Sequence, residues 1–288
     1  MKTTYMLKHL SLLFSLVVAL GSNIAAAAEP LLEHYEPKEV DYFRFLIGDF
    51  TVALGAKSLF EPVFSGAKKN KPTFFPIMSF NKKGTEETFS SPHDSLGAAI
   101  IETRFFRIGP ILGFQSARDP SDDKALIGLK KIGLALEPGF FAEIFPTQTA
   151  RLRVELRQGI AGHFGQVIDF SADAYALFDN KWLVALGPRL SLASARALKP
   201  YFDIDQSQSF NTGLPLYTSK SGIKSVGFGS VIKYSWTQKV ETKIYGEYER
   251  LVGSTEKSPL VSILGSKNQF TAGIGISYKL DFTSPFGK

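Results

Sequence analysis

Eight charged residues, Glu137, Glu143, Arg151, Arg153, Glu155, Arg157, Asp169 and Asp173, fall close together and largely at alternate positions. In an extended chain, residues two apart share one face of a sheet. Charges on a face closed off from solvent must be paired, and opposite charges on neighbouring strands pair at the least cost. Two kinds of chemistry follow. The residues could form a charged ring lining a solute pathway, or a salt-bridged plug filling a narrow lumen. Mixed signs neutralise one another and leave no selective field, which favours the plug.

The remaining reactive residue types are sparse. Past residue 28 the histidines are His34, His93 and His163, and none has a second His or a Cys at ligand spacing, so no metal site is expected. His93 sits in Ser-Pro-His-Asp and His163 in Gly-His-Phe-Gly, which read as an outer loop and a polar loop tip. Neither lies beside a Gly-x-Ser-x-Gly nucleophile motif, and no catalytic residue is assigned. Asp119, Asp122, Asp123, Asp203 and Asp205 lack the order of a calcium loop. They read as solvated loop acids, able to bridge to lipopolysaccharide through divalent ions. No cofactor is implied.

The elements that must hold the charged face are strands. Arg151, Arg153, Glu155 and Arg157 alternate with Leu152, Val154 and Leu156; Asp169, Ser171 and Asp173 alternate with Ile168, Phe170, Ala172 and Ala174. The same period of two runs on from Trp182, through Val226–Trp236, Val240–Glu249 and Phe270–Phe282. The apolar residues do not recur at helical spacing. Strands this long, apolar on one face and charged or small on the other, suit a transmembrane antiparallel β-barrel with a polar interior. Trp182, Trp236, Tyr278, Phe178 and Phe282 fall near strand ends, where interfacial aromatic girdles sit.

Short turns near residues 82–83, 106, 146–147, 179–180 and 238 alternate with longer loops near 58–71, 90–94, 116–129, 161–165, 193–222 and 252–267. Closure with both termini on one side needs an even number of strands, and this alternation gives twelve, with ten as the alternative. The strands at 84–91 and 95–105 are the weakest of the twelve.

Composition agrees. With 288 residues, 44% apolar and 21% charged, and a mean hydropathy of +0.01, the chain is neither disordered nor a bundle of apolar membrane helices. It has no cysteine, and its 25 phenylalanines are many for a chain of neutral hydropathy. Alternation resolves that tension, since averaging cancels the two faces. Lys2 and Lys8, an apolar run from Leu10 to Leu20 and Ala25–Ala28 before Glu29 read as a secretory signal peptide over 1–28. Residues 29–42 are then an acidic periplasmic segment, 43–282 the barrel and 283–288 a C-terminal extension. The formal charge of +6 falls to +4 on cleavage, too mild to argue for nucleic acid.

Several segments carry a resemblance. They are Arg107–Phe114, Gly187–Leu190, Tyr201-Phe202, Gly213-Leu214-Pro215 with Tyr217, Gly222–Lys224, Tyr248-Glu249-Arg250-Leu251, Ser258–Val261 and Asn268-Gln269-Phe270. Their order and spacing resemble the MltA-interacting protein (MipA/OmpV) family of Gram-negative outer membranes. The resemblance runs from about Gly48 to Phe282. It implies a non-enzymatic scaffold in the outer membrane, in contact with its lipid and lipopolysaccharide. Its implied partners are an MltA-type lytic transglycosylase and a penicillin-binding murein synthase, held together during cell-wall growth. A narrow solute channel, or adhesion through the loop over 195–220, is the alternative. The family tends to end on an aromatic residue; here Thr283–Lys288 follow Phe282.

Overall fold

The computed structural model describes residues 49–82, 89, 91, 93–103, 105–179 and 181–283. The signal peptide over 1–28, the segment over 29–42 and all but Thr283 of the C-terminal extension lie outside the described residues.

Ten long antiparallel strands form the wall: β1 (Phe50–Pro62), β2 (Asn70–Lys82), β5 (Phe106–Gln115), β6 (Ala135–Thr147), β7 (Ala150–Gln158), β8 (Gln166–Phe178), β9 (Trp182–Ala193), β10 (Gly222–Ser235), β11 (Val240–Leu251) and β12 (Asn268–Phe282). Two short strands, β3 (Leu96–Gly97) and β4 (Ile101–Glu102), both pair with β5. Among the described residues this makes twelve strands, eleven of them in one hydrogen-bonded path from β2 through β1 and β12 down to β5 and β3. The first strand meets the last from Phe50 opposite Phe282 to Phe60 opposite Ala272. The two ends of the path, β2 and β3, come to lie side by side, so the barrel is nearly closed. Pro72 and Pro76 cannot donate ladder hydrogen bonds, and they sit on β2, at the edge of the path.

The alternation read from sequence sets the two faces. Leu156, Phe170, Leu186, Phe228, Ile244, Ile274 and Ile276 are exposed on the outside, where hydrocarbon would meet them. Strands of about 9 to 11 residues, tilted, suffice to cross a bilayer, and the wall strands meet that length. At the short-turn end, Trp182 and Tyr234 pack with ring centres 4.5 Å apart, Tyr234 and Trp236 at 4.7 Å, and Phe50 and Phe282 at 5.2 Å. Of these, Phe50, Trp182, Trp236 and Phe282 are exposed and form part of an aromatic girdle.

Two expectations need correction. The outer loop expected over 90–94 and the continuous strand expected over 95–105 do not take that course, and the strand expected over 84–91 lies, but for Phe89 and Ser91, outside the described residues. Residues 83–88, 90, 92 and 104 lie outside the described residues; among the described ones Phe89, Ser91, Asp94 and Ser95 turn into the lumen, and β3 and β4 join the wall. The reason is chemical. Among the described residues from 89 to 95 only Phe89 is large and apolar, so they have no row of side chains to present to lipid. The second correction concerns His163, which is not a loop-tip residue but is 1% exposed inside the molecule.

The long loops do not trail in solvent. Helix α1 (Ala195–Phe202), capped by Ser194, and α2 (Gln206–Thr212), closed by a capping box of Asp205 and Gln208, fold over the outer mouth. The loop at 252–267 adds helix α3 (Ser254–Lys257) and one π-turn at Leu260–Leu264. Together with residues 63–69 and 116–134 they enclose two apolar clusters. One holds Ile132, Leu198, Phe202, Leu251 and Val261, the other Phe64, Leu126, Leu129, Ile204 and Leu260. This cap has its own core, so the outer mouth is covered by packed structure.

Candidate functional site

The lumenal face of β6, β7 and β8 is a lattice of charge. Register places Glu143 opposite Arg153 and Arg151 opposite Asp173. Arg151, with no exposed surface, holds Asp173 at 2.7 Å and Glu143 at 3.1 Å. Arg153 takes Glu143 at 2.6 Å and Glu155 at 2.7 Å, and lies over the Phe141 ring at 4.2 Å. Arg157 pairs with Glu137 at 3.0 Å and also with Asp169. All eight charged residues singled out from sequence thus meet on one wall. They use each arginine several times, the arrangement that keeps buried guanidinium groups tolerable.

Sequence reasoning missed five further members. Arg107 on β5 pairs with Glu143 at 3.3 Å and Glu102 at 3.1 Å, and Arg189 on β9 reaches Asp173 at 2.6 Å. Both arginines sit at inward parity, so the alternation itself could have found them. Asp94 and Ser95 come from the segment that turns inward. Asp94 accepts from Arg151 at 2.6 and 3.1 Å, and Glu155 accepts from the Ser95 hydroxyl at 2.6 Å. His163 meets Glu137 at 2.7 Å while its Nδ1 accepts from the Gly165 amide at 3.2 Å, which assigns the proton to Nε2.

The opposite wall carries a second group. Glu241 sits among Lys279 at 3.1 Å, Lys243 at 3.3 Å and Lys233 at 3.7 Å. Between the walls lies a cavity of about 890 Å³, reaching from the level of Thr51 and Lys279 up to Phe64, Arg118 and Tyr201 beneath the cap.

The family-motif positions stitch this cap to the rim. The Tyr201 and Pro200 carbonyls accept from the buried Arg118 guanidinium at 2.8 and 3.1 Å, and the Phe202 carbonyl accepts from the Ser258 hydroxyl at 2.6 Å. Burial holds Arg118 down to about 10 and pushes the Tyr201 phenol up to about 12. Gly213 ends α2 in the left-handed conformation, at φ 73°. Past Pro215, the Tyr217 hydroxyl donates to the Ser254 carbonyl at 2.6 Å. Tyr248 and Arg250 donate to Asn268 at 2.9 and 3.2 Å, Tyr248 packs on Phe270, and Glu249 is 4.0 Å from Lys224. Gln269 bonds the backbone of Gly66 and Ala67. The loop acids are matched as well, Asp119 with Lys131 at 2.7 Å, Asp122 with Lys71 at 3.4 Å and Asp205 with Lys130 at 2.5 Å. Asp123 caps a helical turn, and Asp203 accepts from the Ser219 amide at 2.7 Å.

A lipid-facing wall, an aromatic girdle, a charged interior and a packed outer cap define a transmembrane β-barrel of the outer-membrane type. The family model described as MltA-interacting protein MipA matches residues 54–280. The chain belongs to that family. No curated protein sequence matches it. Among solved structures it is similar to an outer-membrane channel from Pseudomonas putida F1 (11% identity, 86% of this chain and 98% of that one, TM-score 0.41). It is also similar to the NanC porin (10% identity, 81% and 100%, TM-score 0.39) and the KdgM porin (9%, 80% and 97%, TM-score 0.34).

Proposed function

We propose that this chain is a non-enzymatic outer-membrane barrel that acts as a scaffold, holding an MltA-type murein hydrolase near a murein synthase as the cell wall grows. The family description supplies the hydrolase half of this reading, since it names interaction with MltA. The observation that carries it is the state of the barrel. One lumenal wall is locked by arginine–carboxylate pairs and the outer mouth is covered by a cap with its own core. Such a barrel suits anchorage better than passage. The signal peptide over 1–28 delivers the chain, and the acidic stretch over 29–41 supplies periplasmic contact surface that the short turns lack. Purified barrel, and barrel lacking 29–41, would be used to capture murein hydrolases from an envelope extract. The scaffold reading expects enrichment that depends on 29–41. Recovery no greater than with an unrelated barrel contradicts it.

One observation favours a second reading. The cavity of about 890 Å³ between the two charged walls has the size of a small-solute site, as a narrow channel would need.

A further inference from the structure

Asp94, on the inward segment, makes contacts that the wall arginines do not need, whereas His93 beside it pairs with Glu247 of β11 at 3.2 Å. Every arginine that Asp94 touches already has carboxylates of its own. Arg151 keeps Glu143 and Asp173, and Arg153 keeps Glu143 and Glu155, with Asp94 set aside. Asp94 is therefore an added carboxylate, bound through both oxygens to Arg151 and lying 3.8 Å from Arg153. Beside it the lumen has a feature odd for a polar interior. Leu183, Ala185, Val231 and Tyr245 form a buried apolar cradle, with Tyr175 and Leu59 against it. The Phe89 ring fills that cradle, stacked on Tyr175 at 5.1 Å, with the Arg151 guanidinium 4.7 Å from the ring centre. One guanidinium thus has an aromatic ring over its face and a carboxylate on its edge.

We propose that Phe89 and Asp94 occupy, from within the chain, a lumenal site for a small aromatic carboxylate, its ring in the Leu183–Val231–Tyr245 cradle and its carboxylate on Arg151 and Arg153. Phe89, Asp94 and Arg153 line the open cavity, so a solute entering it reaches the site. The arginines keep their wall carboxylates when the segment is displaced, Glu247 gives up His93 at 3.2 Å, and Asp94 returns to water. A free ligand competes with a tethered one, so its apparent affinity is reduced by the fraction of molecules in which the site is vacant. This inference does not rest on the scaffold reading.

The probe is 3-phenylpropionate, which joins a ring and a carboxylate by a short spacer; acetate and phenethylamine are the controls. Binding to the folded full-length barrel would be measured by calorimetry for the native chain and for Asp94→Ala. Removing the internal competitor should tighten 3-phenylpropionate binding by about tenfold or more, with no comparable binding of either control. Equal affinity in both chains, no binding to folded Asp94→Ala, or equal binding of phenethylamine overturns the proposal. Should Asp94→Ala fail to fold, labelling keeps the idea testable. The chain has no cysteine, so Ser91→Cys places a single buried thiol on the segment. Saturating 3-phenylpropionate should speed its reaction with a maleimide, and an unchanged rate contradicts displacement.

Discussion

Across the ladder between β7 and β8, Arg151 stands opposite Asp173 and their charged ends meet at 2.7 Å with neither side chain in contact with solvent. This pair is the centre of the lattice. Replacing Arg151 with alanine takes one guanidinium from Asp173, Glu143 and Asp94 at once, leaving Asp173 to Arg189 and Glu143 to Arg153 and Arg107. Breaking a buried pair from one side costs about 3–5 kcal/mol, and these remaining partners set the cost at the low end. Urea unfolding of the barrel in lipid vesicles checks this, with Arg151→Ala/Asp173→Ala losing less than the sum of the single changes.

The outward face is testable by depth. Ile274 lies exposed near the middle of β12 and Phe282 at its end. Arginine at the first should cost about 2–4 kcal/mol in lipid, and at the second about 0–1 kcal/mol. Equal costs, measured by the same unfolding assay, would contradict a membrane-spanning wall.

Two glycines separate soft from hard crowding. A Cβ at Gly229 would lie 2.9 Å from the end of the Arg189 side chain, which can shift. A Cβ at Gly187 would run into the Ala172 carbonyl oxygen, where only the β8 backbone can yield. Gly229→Ala should cost about 1–3 kcal/mol, as overpacking does. Gly187→Ala should cost more, or prevent assembly, as read by the heat-dependent gel shift of the folded barrel.

The cap has an alkaline signature. The Tyr201 phenol is raised to about 12 by burial, against an unfolded value of about 10. Its neutral form is favoured in the fold, so its contribution is complete below pH 10 and is lost as pH rises towards 12. Arg118, lowered to about 10 by the same burial, works in the opposite sense over that range. A difference titration of tyrosinate absorbance, native minus Tyr201→Phe, should show one late step near pH 12. A step near 10 would mean that the cap does not seal this residue.

The wall was legible because lipid enforces alternation. Leu152, Val154 and Leu156 must face outward, which turns Arg151, Arg153 and Glu155 inward without further information. Arg107 and Arg189 were equally legible by parity. The cap was not, because Phe202 meeting Leu251 and Val261, or Arg118 meeting Tyr201, joins loops far apart in the chain. His163 read as a loop-tip residue for the same reason, since Glu137 on β6 gives it a buried partner that no local pattern shows. The stretch before Ser95 carried a warning in its missing apolar face, and Asp94 was hidden with it.

Planar-bilayer recording of the full-length barrel at neutral pH tests most directly whether this is a closed scaffold or a solute channel. The lattice around Arg151 and the cap over the mouth predict no steady conductance from the native chain. Regular, long-lived openings that change on substitution of Arg153 or Glu155 would contradict the account and establish the lumen as a pathway.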